Sequence, residues 1–490
     1  MSAYEELMAY QRETEALSQI SGRLGWDQET VMPRGAAPQR AEEMAALQTV
    51  LHNRRTDARI GEWLEEADAS APVAHAQLRL IRQSFERNTK VPARLAAELA
   101  RKTSLSQGIW AEARKNEDFA AFAPVLKEII DLRREEAMAL ADGGDLYDAL
   151  LGDYEPNTTG ANIDALFAEL RSGLVDLRAR ILGSGKTAPD INHSFDEDAQ
   201  MALSSDLAAA FGYDSNHGRI DRAVHPFSSG SGLDVRITTR TETHNPFNCF
   251  YSTIHEVGHA TYEQNIDPAY LLTPVGRGAS MGVHESQSRI YENQLGRSRA
   301  FTGYLFDRMK SAFGDFGIAD ADSFYAAVNQ VRPGYIRTEA DEIHYNLHIM
   351  MRFDIERAII AGEVEVDSLV DAWNARFEAD FGVVVDKPSN GVLQDVHWSV
   401  GLFGYFPTYS LGNIYAVCLN EALRKDLPDL DAQLAKGDTS AATGWLRERL
   451  QQHGGLRTPV ETIEHATGQP VSVTPLLRYL GEKFGTLYDL

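Results

Sequence analysis

Cysteine is nearly missing from this 490-residue chain, which holds two, Cys249 and Cys418. Two thiols cannot build a disulfide framework, and their scarcity fits a reducing compartment. Cys249 lies just before His255 and reads as a small buried hydrophobe rather than a metal ligand. Long apolar runs are missing too. No stretch approaches the roughly 20 apolar residues that span a bilayer. The first residues, MSAYEELMAYQRETEALSQISGRLGW, carry early glutamates and lack the apolar core of a secretory leader. The expectation is a cytoplasmic protein with no membrane partner. Basic residues are the minority: 47 Lys and Arg stand against 71 Asp and Glu, a net charge of −24. That disfavours nucleic acid, because a polyanion is repelled by such a surface.

Strand signals are scarce as well. What is present in quantity is helix. PARLAAELARKTSLSQGIWAEARKN (92–116) and FAAFAPVLKEIIDLRREEAMALADGG (119–144) are rich in Ala, Leu, Glu and Arg, with apolar residues three and four apart. The second has a stop signal at Gly143-Gly144. The pattern recurs at 162–182 and at 341–363, where Thr338 and Asp341 are placed as a capping pair. EDAQMALSS, from Glu197, reads as helix. One segment reads clearly as strand, LDVRITTRT (233–241), β-branched and alternating. Gly and Pro cluster at 214–232, 268–282 and 386–412, which read as irregular. The expected class is mainly α, with a small β-sheet beside the helix described next.

That helix contains STIHEVGHATYEQN (252–265). At 3.6 residues per turn, His255 and His259 share one face, so both imidazoles can reach one ion at about 2.0–2.1 Å. Glu256 is offset by about 100° and can reach a water on that ion without being a ligand. A solvated helix with two unrelated histidines is the bland alternative. HYNLH repeats the spacing with His344 and His348 but has no glutamate between them. That pair is not read as a metal site, and His348 reads as a pocket or core residue. A catalytic ion needs a third ligand and an open position. Glu285, in GASMGVHESQSRIYENQLG, begins another apparent helix after enough chain to turn back. Glu263 and His284 compete with it. Glu263 would string the ligands along one helix, which does not make a tetrahedron.

Several stretches together resemble the carboxypeptidase Taq family of metallocarboxypeptidases. They are WDQETVMPRGAAPQRAEE (26–43), HPF (225–227), DVRIT (234–238), HEVGH (255–259), HESQSR (284–289), GYIRTEADEIHYNLHI (334–349) and GVLQDVHWSVGLFGYFPTYSLGNIYA (391–416). They occur in family order, span most of the chain and show no departure at the metal motif. The resemblance implies an enzyme that releases single residues from peptide C-termini, with His255, His259 and Glu285 as zinc ligands and Glu256 as general base. Cobalt or manganese would be the substitutes. It also implies a large helical fold with a deep central groove, broad specificity and a homodimer. In this reading residues 1–490 are a single catalytic unit, with a metal-binding core at about 225–300 and substrate-groove segments at about 330–415.

The remaining roles follow from chemistry within those motifs. The tetrahedral oxyanion needs a donor besides the metal, and Tyr409, Tyr405 and His397 are the candidates, the two tyrosines placed in a Gly- and Pro-containing loop. A free C-terminal carboxylate suits the planar fork of an arginine. Arg337 is the first choice and Arg236 the second. Asp234, Arg236 and Thr238 alternate on one side of the strand, and an exposed strand there could pair with the substrate backbone. His348 completes the substrate-binding candidates. An oligopeptidase or dipeptidyl carboxypeptidase with the same metal site is the alternative enzyme, and a non-catalytic helical scaffold with a structural metal is the alternative outside enzymes. Retention of Glu256 argues against the scaffold.

Overall fold

The computed structural model describes residues 1–68 and 70–490. It divides into two compact units. One comprises Met1–Thr89, Ala188–Asn329 and Tyr415–Val471, the other Lys90–Thr187, Gln330–Ile414 and Ser472–Leu490. Residues 225–300 fall in the first unit and 330–414 in the second.

Helices dominate both, where the apolar period and the end signals agree. Ala93–Lys115, Phe119–Ala141 and Gly160–Gly183 are all helical. The side chains of Asp118 and Thr159 cap the last two by accepting the backbone N–H groups of Ala121 and Asn162. The helix Phe119–Ala141 stops one residue before the expected glycines, because Asp142 itself takes the left-handed conformation. Glu342–Ala361 begins at Asp341, whose carboxylate accepts the N–H groups of Ile343 and His344. Thr338 plays no part in that cap; it sits in a separate turn, Arg337–Glu339.

The first unit holds a three-stranded sheet of β1 (Ile220–Arg222), β2 (Ser228–Ser231) and β3 (Asp234–Thr239). The order is β1-β3-β2, with β1 parallel and β2 antiparallel to β3. Two expectations change here. The segment 214–232 is not irregular throughout, since it supplies both outer strands. Short, Gly- and Ser-rich strands carry little side-chain signal, and their pairing comes from the neighbour. β3 is therefore the central strand. Val235 and Ile237 point into the core with no exposed surface. The helix Pro246–Asn265 packs beside β3, and Thr239 Oγ1 donates to the carbonyl of Cys249 at 3.0 Å. Cys249 is fully buried against Ser204, and burial pushes its thiol pKa up, as suits a packed hydrophobe.

In the second unit, the segment 386–412 is irregular only as far as its helix start at Pro407, and Pro407–Asp426 is helical. Proline suits the first helical position because its missing N–H would have no partner there.

Candidate metal centre

The two histidines of Pro246–Asn265 and the glutamate of Met281–Arg289 converge. The ligand atoms of His255, His259 and Glu285 all lie within 4.8 Å of one another. Both Nε2 atoms face Glu285 Oε2, at 3.7 Å from His255 and 3.4 Å from His259. Two imidazole nitrogens and a carboxylate oxygen converging with room between them fit a zinc-type divalent cation. The helices can approach so closely because residue 258 is glycine. A Cβ there would stand 2.4 Å from the backbone oxygen of Gln287 and 2.6 Å from Ser288 Cα.

Each histidine is held from behind. His255 Nδ1 lies 2.9 Å from Glu292 Oε2. His259 Nδ1 lies 2.7 Å from His284 Nδ1, and His284 Nε2 lies 2.9 Å from Glu263 Oε1. Partners on Nδ1 settle which ring nitrogen is free to coordinate. The two rivals for the third ligand, Glu263 and His284, are thus used as supports. Glu292 stands in a π-helical turn, Ile290–Gly296, a form frequent at functional sites. Arg289 joins the two carboxylates: its Nε donates to Glu285 Oε1 at 2.6 Å and its Nη1 to Glu292 Oε2 at 3.2 Å. Arg297 Nη2 donates to the other oxygen of Glu292, at 3.2 Å. Sequence reasoning missed Arg289 and Glu292. The signal was there, since they follow Glu285 by four and seven residues, on one helical face.

The charges follow from these neighbours. Burial pushes the Glu285 carboxyl up, but Arg289, His255 and His259 outweigh it and hold it well below the usual range. Burial draws His259 down to about 4, whereas at His255 the Glu285 and Glu292 carboxylates overcome burial and raise the pKa. Glu256 is buried among these groups, and burial pushes it up to about 7.

The second unit gathers the other candidates. Arg337 is buried. Its Nε and Nη2 donate to Asp395 Oδ1 at 3.0 and 2.8 Å, and Nη1 lies 3.4 Å from Tyr345 Oη. Arg352 Nε donates to the other Asp395 oxygen at 2.7 Å. The ion-pair partner of Arg337 is therefore Asp395. The guanidinium lies 5.1 Å from the Tyr409 ring centroid. His397 is stacked on Phe406, with centroids 4.3 Å apart, and its Nε2 is 3.2 Å from Tyr409 Oη. Burial and Arg337 draw the His397 pKa down to about 3, so the ring is neutral. Tyr405 packs edge-on to Tyr409 at 5.3 Å. Tyr409 lies in the first turn of a helix rather than in a loop.

The other substrate-binding candidates are buried or paired. His348 is fully buried against Phe377 and Phe381, within the core. Its helical partner His344 is spoken for on both ring nitrogens, by Asp341 and by Arg178. Thr238 is fully buried, its hydroxyl accepting the N–H of Phe227 at 2.9 Å. β3 pairs with β2 over Asp234–Ile237 and with β1 over Ile237–Thr239. Arg236 spends its fork on Asp234, at 2.8 and 3.0 Å, and lies over Trp26 at 4.5 Å. Asp234 is also paired with Arg23 at 2.8 Å.

A helical chain that aims two imidazoles and a carboxylate at one point, with a further carboxylate beside the first histidine, has the build of a metal-dependent hydrolase. The family described as carboxypeptidase Taq (M32) metallopeptidase matches residues 6–484, and the chain belongs to that family of metallocarboxypeptidases. It is 42% identical to thermostable carboxypeptidase 1 of Thermus thermophilus, with 99% of each chain covered. Against carboxypeptidase 1 of Bacillus subtilis the identity is 36%, with 96% of each covered. Among solved structures, the M32 carboxypeptidase of Deinococcus radiodurans superposes with a TM-score of 0.96 at 38% identity, both chains fully covered. Metallocarboxypeptidase 1 of Trypanosoma cruzi gives 0.96 at 34% identity, covering 98% of this chain and 99% of the other.

Proposed function

We propose that this chain releases single amino acids from the free C-terminus of peptides, with broad side-chain preference, using zinc held by His255, His259 and Glu285. The convergence of two Nε2 atoms and Glu285 Oε2 within 4.8 Å carries the reading. Zinc there supplies Lewis-acid polarisation of the scissile carbonyl and acidification of a water; cobalt or manganese would do the same. Glu256, buried and adjacent to His255, takes the proton of the attacking water and passes it to the leaving amine. Glu292 and His284 keep both imidazoles in the tautomer that leaves Nε2 free. Arg289 occupies Glu285 Oε1, so that Oε2 is the oxygen left to coordinate.

Tyr409, with His397 and Tyr405 beside it, donates to the tetrahedral oxyanion. The hydroxyl of Tyr409 is kept in place by the neutral ring of His397. Arg337 holds the terminal carboxylate. Its fork is half used by Asp395, so the contact falls to Nη1, whose distance of 3.4 Å to Tyr345 leaves a weak bond to exchange. Two guanidiniums share the one carboxylate of Asp395, and the surplus positive charge favours an incoming anion. Arg236 and Asp234 act as a structural pair. The chain acts as a cytoplasmic homodimer. Among the described residues no helix is long and apolar enough to cross a membrane.

The test is a matched pair of peptides, one with a free and one with an amidated C-terminus. Sequential release of single residues from the free peptide alone is expected. Release of dipeptides would assign the same metal site to a dipeptidyl carboxypeptidase, and equal cleavage of both peptides to an oligopeptidase.

A further inference from the structure

We infer that Glu356 is a positioning residue, whose carboxylate pins the segment 397–406 and thereby sets the placement of His397, Tyr405 and Tyr409. This rests on the oxyanion-stabilising role given to those three residues above.

Glu356 lies near the end of the helix Glu342–Ala361 and has no exposed surface. Its Oε1 accepts from the indole Nε1 of Trp398 at 2.9 Å. Its Oε2 accepts from Tyr147 Oη at 3.0 Å and from the backbone N–H of Gly404 at 3.1 Å. Arg352, one turn earlier on the same helix, is spent on Asp395. Among the described residues no cation forms an ion pair with Glu356. A buried carboxylate without a counter-charge is costly, and an apolar side chain would fill the space at lower free energy. Three donors converging on the two oxygens offset that cost. Two of the three come from the segment itself.

The segment is shaped to meet the carboxylate. Gly404 has φ +85, and a Cβ there would lie 2.8 Å from the backbone nitrogen of Leu151. It therefore lies flat against the helix Leu146–Leu151, with its N–H turned to Glu356. At the other end the Trp398 ring packs on Trp373 and Phe403. His397 precedes the first pin and Tyr405 follows the second. Tyr405 is then wedged between the rings of Tyr154 and Tyr409, at 5.0 and 5.3 Å. The same helix grips the flanks: Arg352 holds Asp395, while Asn346 accepts from Ser410 and Asn413, both at 3.0 Å. Those flanking contacts fix where the segment begins and ends. Glu356 holds its middle, through Trp398 and Gly404.

A residue that serves packing alone would change stability and leave the kinetics of the folded enzyme untouched. The experiment uses the full, zinc-loaded chain at pH 8 with the free and amidated peptide pair. It compares wild type with Glu356→Gln, which keeps volume but turns an amide N–H toward a donor, and with Trp398→Phe, which removes one pin and keeps the ring. Glu356→Gln is expected to retain one metal per chain and to lose at least tenfold in kcat/KM for the free peptide, mostly through kcat. Trp398→Phe is expected to show the same split at about threefold. Kinetics equal to wild type per folded, metal-loaded chain would overturn the proposal. If Glu356→Gln does not fold, Trp398→Phe decides on the same terms. A wild type that ignores the free C-terminus removes the functional reading and this proposal with it, whereas a competent wild type with unaltered variants removes the proposal alone.

Discussion

At the scale of single residues, Glu256 and Glu285 are both buried carboxylates near the same histidines, yet they differ in environment. Glu285 is held ionised by Arg289 and the imidazoles, as a ligand must be. At Glu256 burial outweighs the pull of His255 and pushes the carboxyl up to about 7, as suits a group that exchanges protons. Glu256→Gln should therefore keep its metal and lose a factor on the order of 10²–10⁴ in kcat, whereas Glu285→Ala should lose metal, as read by atomic absorption on the dialysed protein. The opposite pattern would mean that base and ligand have been exchanged. Arg337→Ala should raise KM for free-C-terminus peptides, at a loss of about 2–5 kcal/mol, and Arg337→Lys should restore part of it because a single charge remains without the fork. A wild-type preference for free over amidated peptide in Arg337→Ala would move the carboxylate contact elsewhere. His255, His259 and Glu256 were legible in the sequence because helix periodicity alone puts them on neighbouring faces. Asp395, which ties Arg337 and Arg352 together, was not, because nothing local links positions so far apart in the chain.

At the scale of elements, long helices were legible and short strands were not. Ala93–Lys115 repeats its apolar positions over several turns, and Glu342–Ala361 carries its own start signal in the Asp341 cap. β1 and β2 are three and four residues long, and strands that short acquire their identity only by pairing with β3. Gly258 shows what an element interface demands. Gly258→Ala would set a methyl group against the backbone of the neighbouring helix, within 2.6 Å of Ser288 Cα. The expected outcome is a loss of about 1–3 kcal/mol in stability together with weaker metal retention against a competing chelator. Glu356 gives a pH signature at the same scale. Its unfolded pKa is near 4.5 and burial raises the folded value to about 7, against the pull of Trp398, Gly404 and Tyr147. Between those values the folded chain keeps a proton that the unfolded chain has released, so this group's contribution to stability falls as pH rises. The fall amounts to roughly 3 kcal/mol and levels off above the folded pKa. Denaturant unfolding of wild type and Glu356→Gln should show the stability of wild type relative to the variant shrinking between pH 5 and pH 8. A constant difference would contradict the raised pKa.

At the scale of the whole molecule, a net charge of −24 gives a peptide's terminal carboxylate no general attraction. Substrate anions must be held by local cations, and in the proposed function that place is the surplus charge of Arg337 and Arg352 over Asp395. The central claim is that a metal held by His255, His259 and Glu285 makes this chain a carboxypeptidase. The most direct measurement is C-terminal residue release from a free-C-terminus peptide, with its amidated twin alongside. It should be made on the native enzyme, on the enzyme stripped by chelator, and on the stripped enzyme given back zinc or cobalt. The account predicts activity on the free peptide alone, its loss on stripping, and its return with either ion. Full activity in a preparation shown to be metal-free would contradict it.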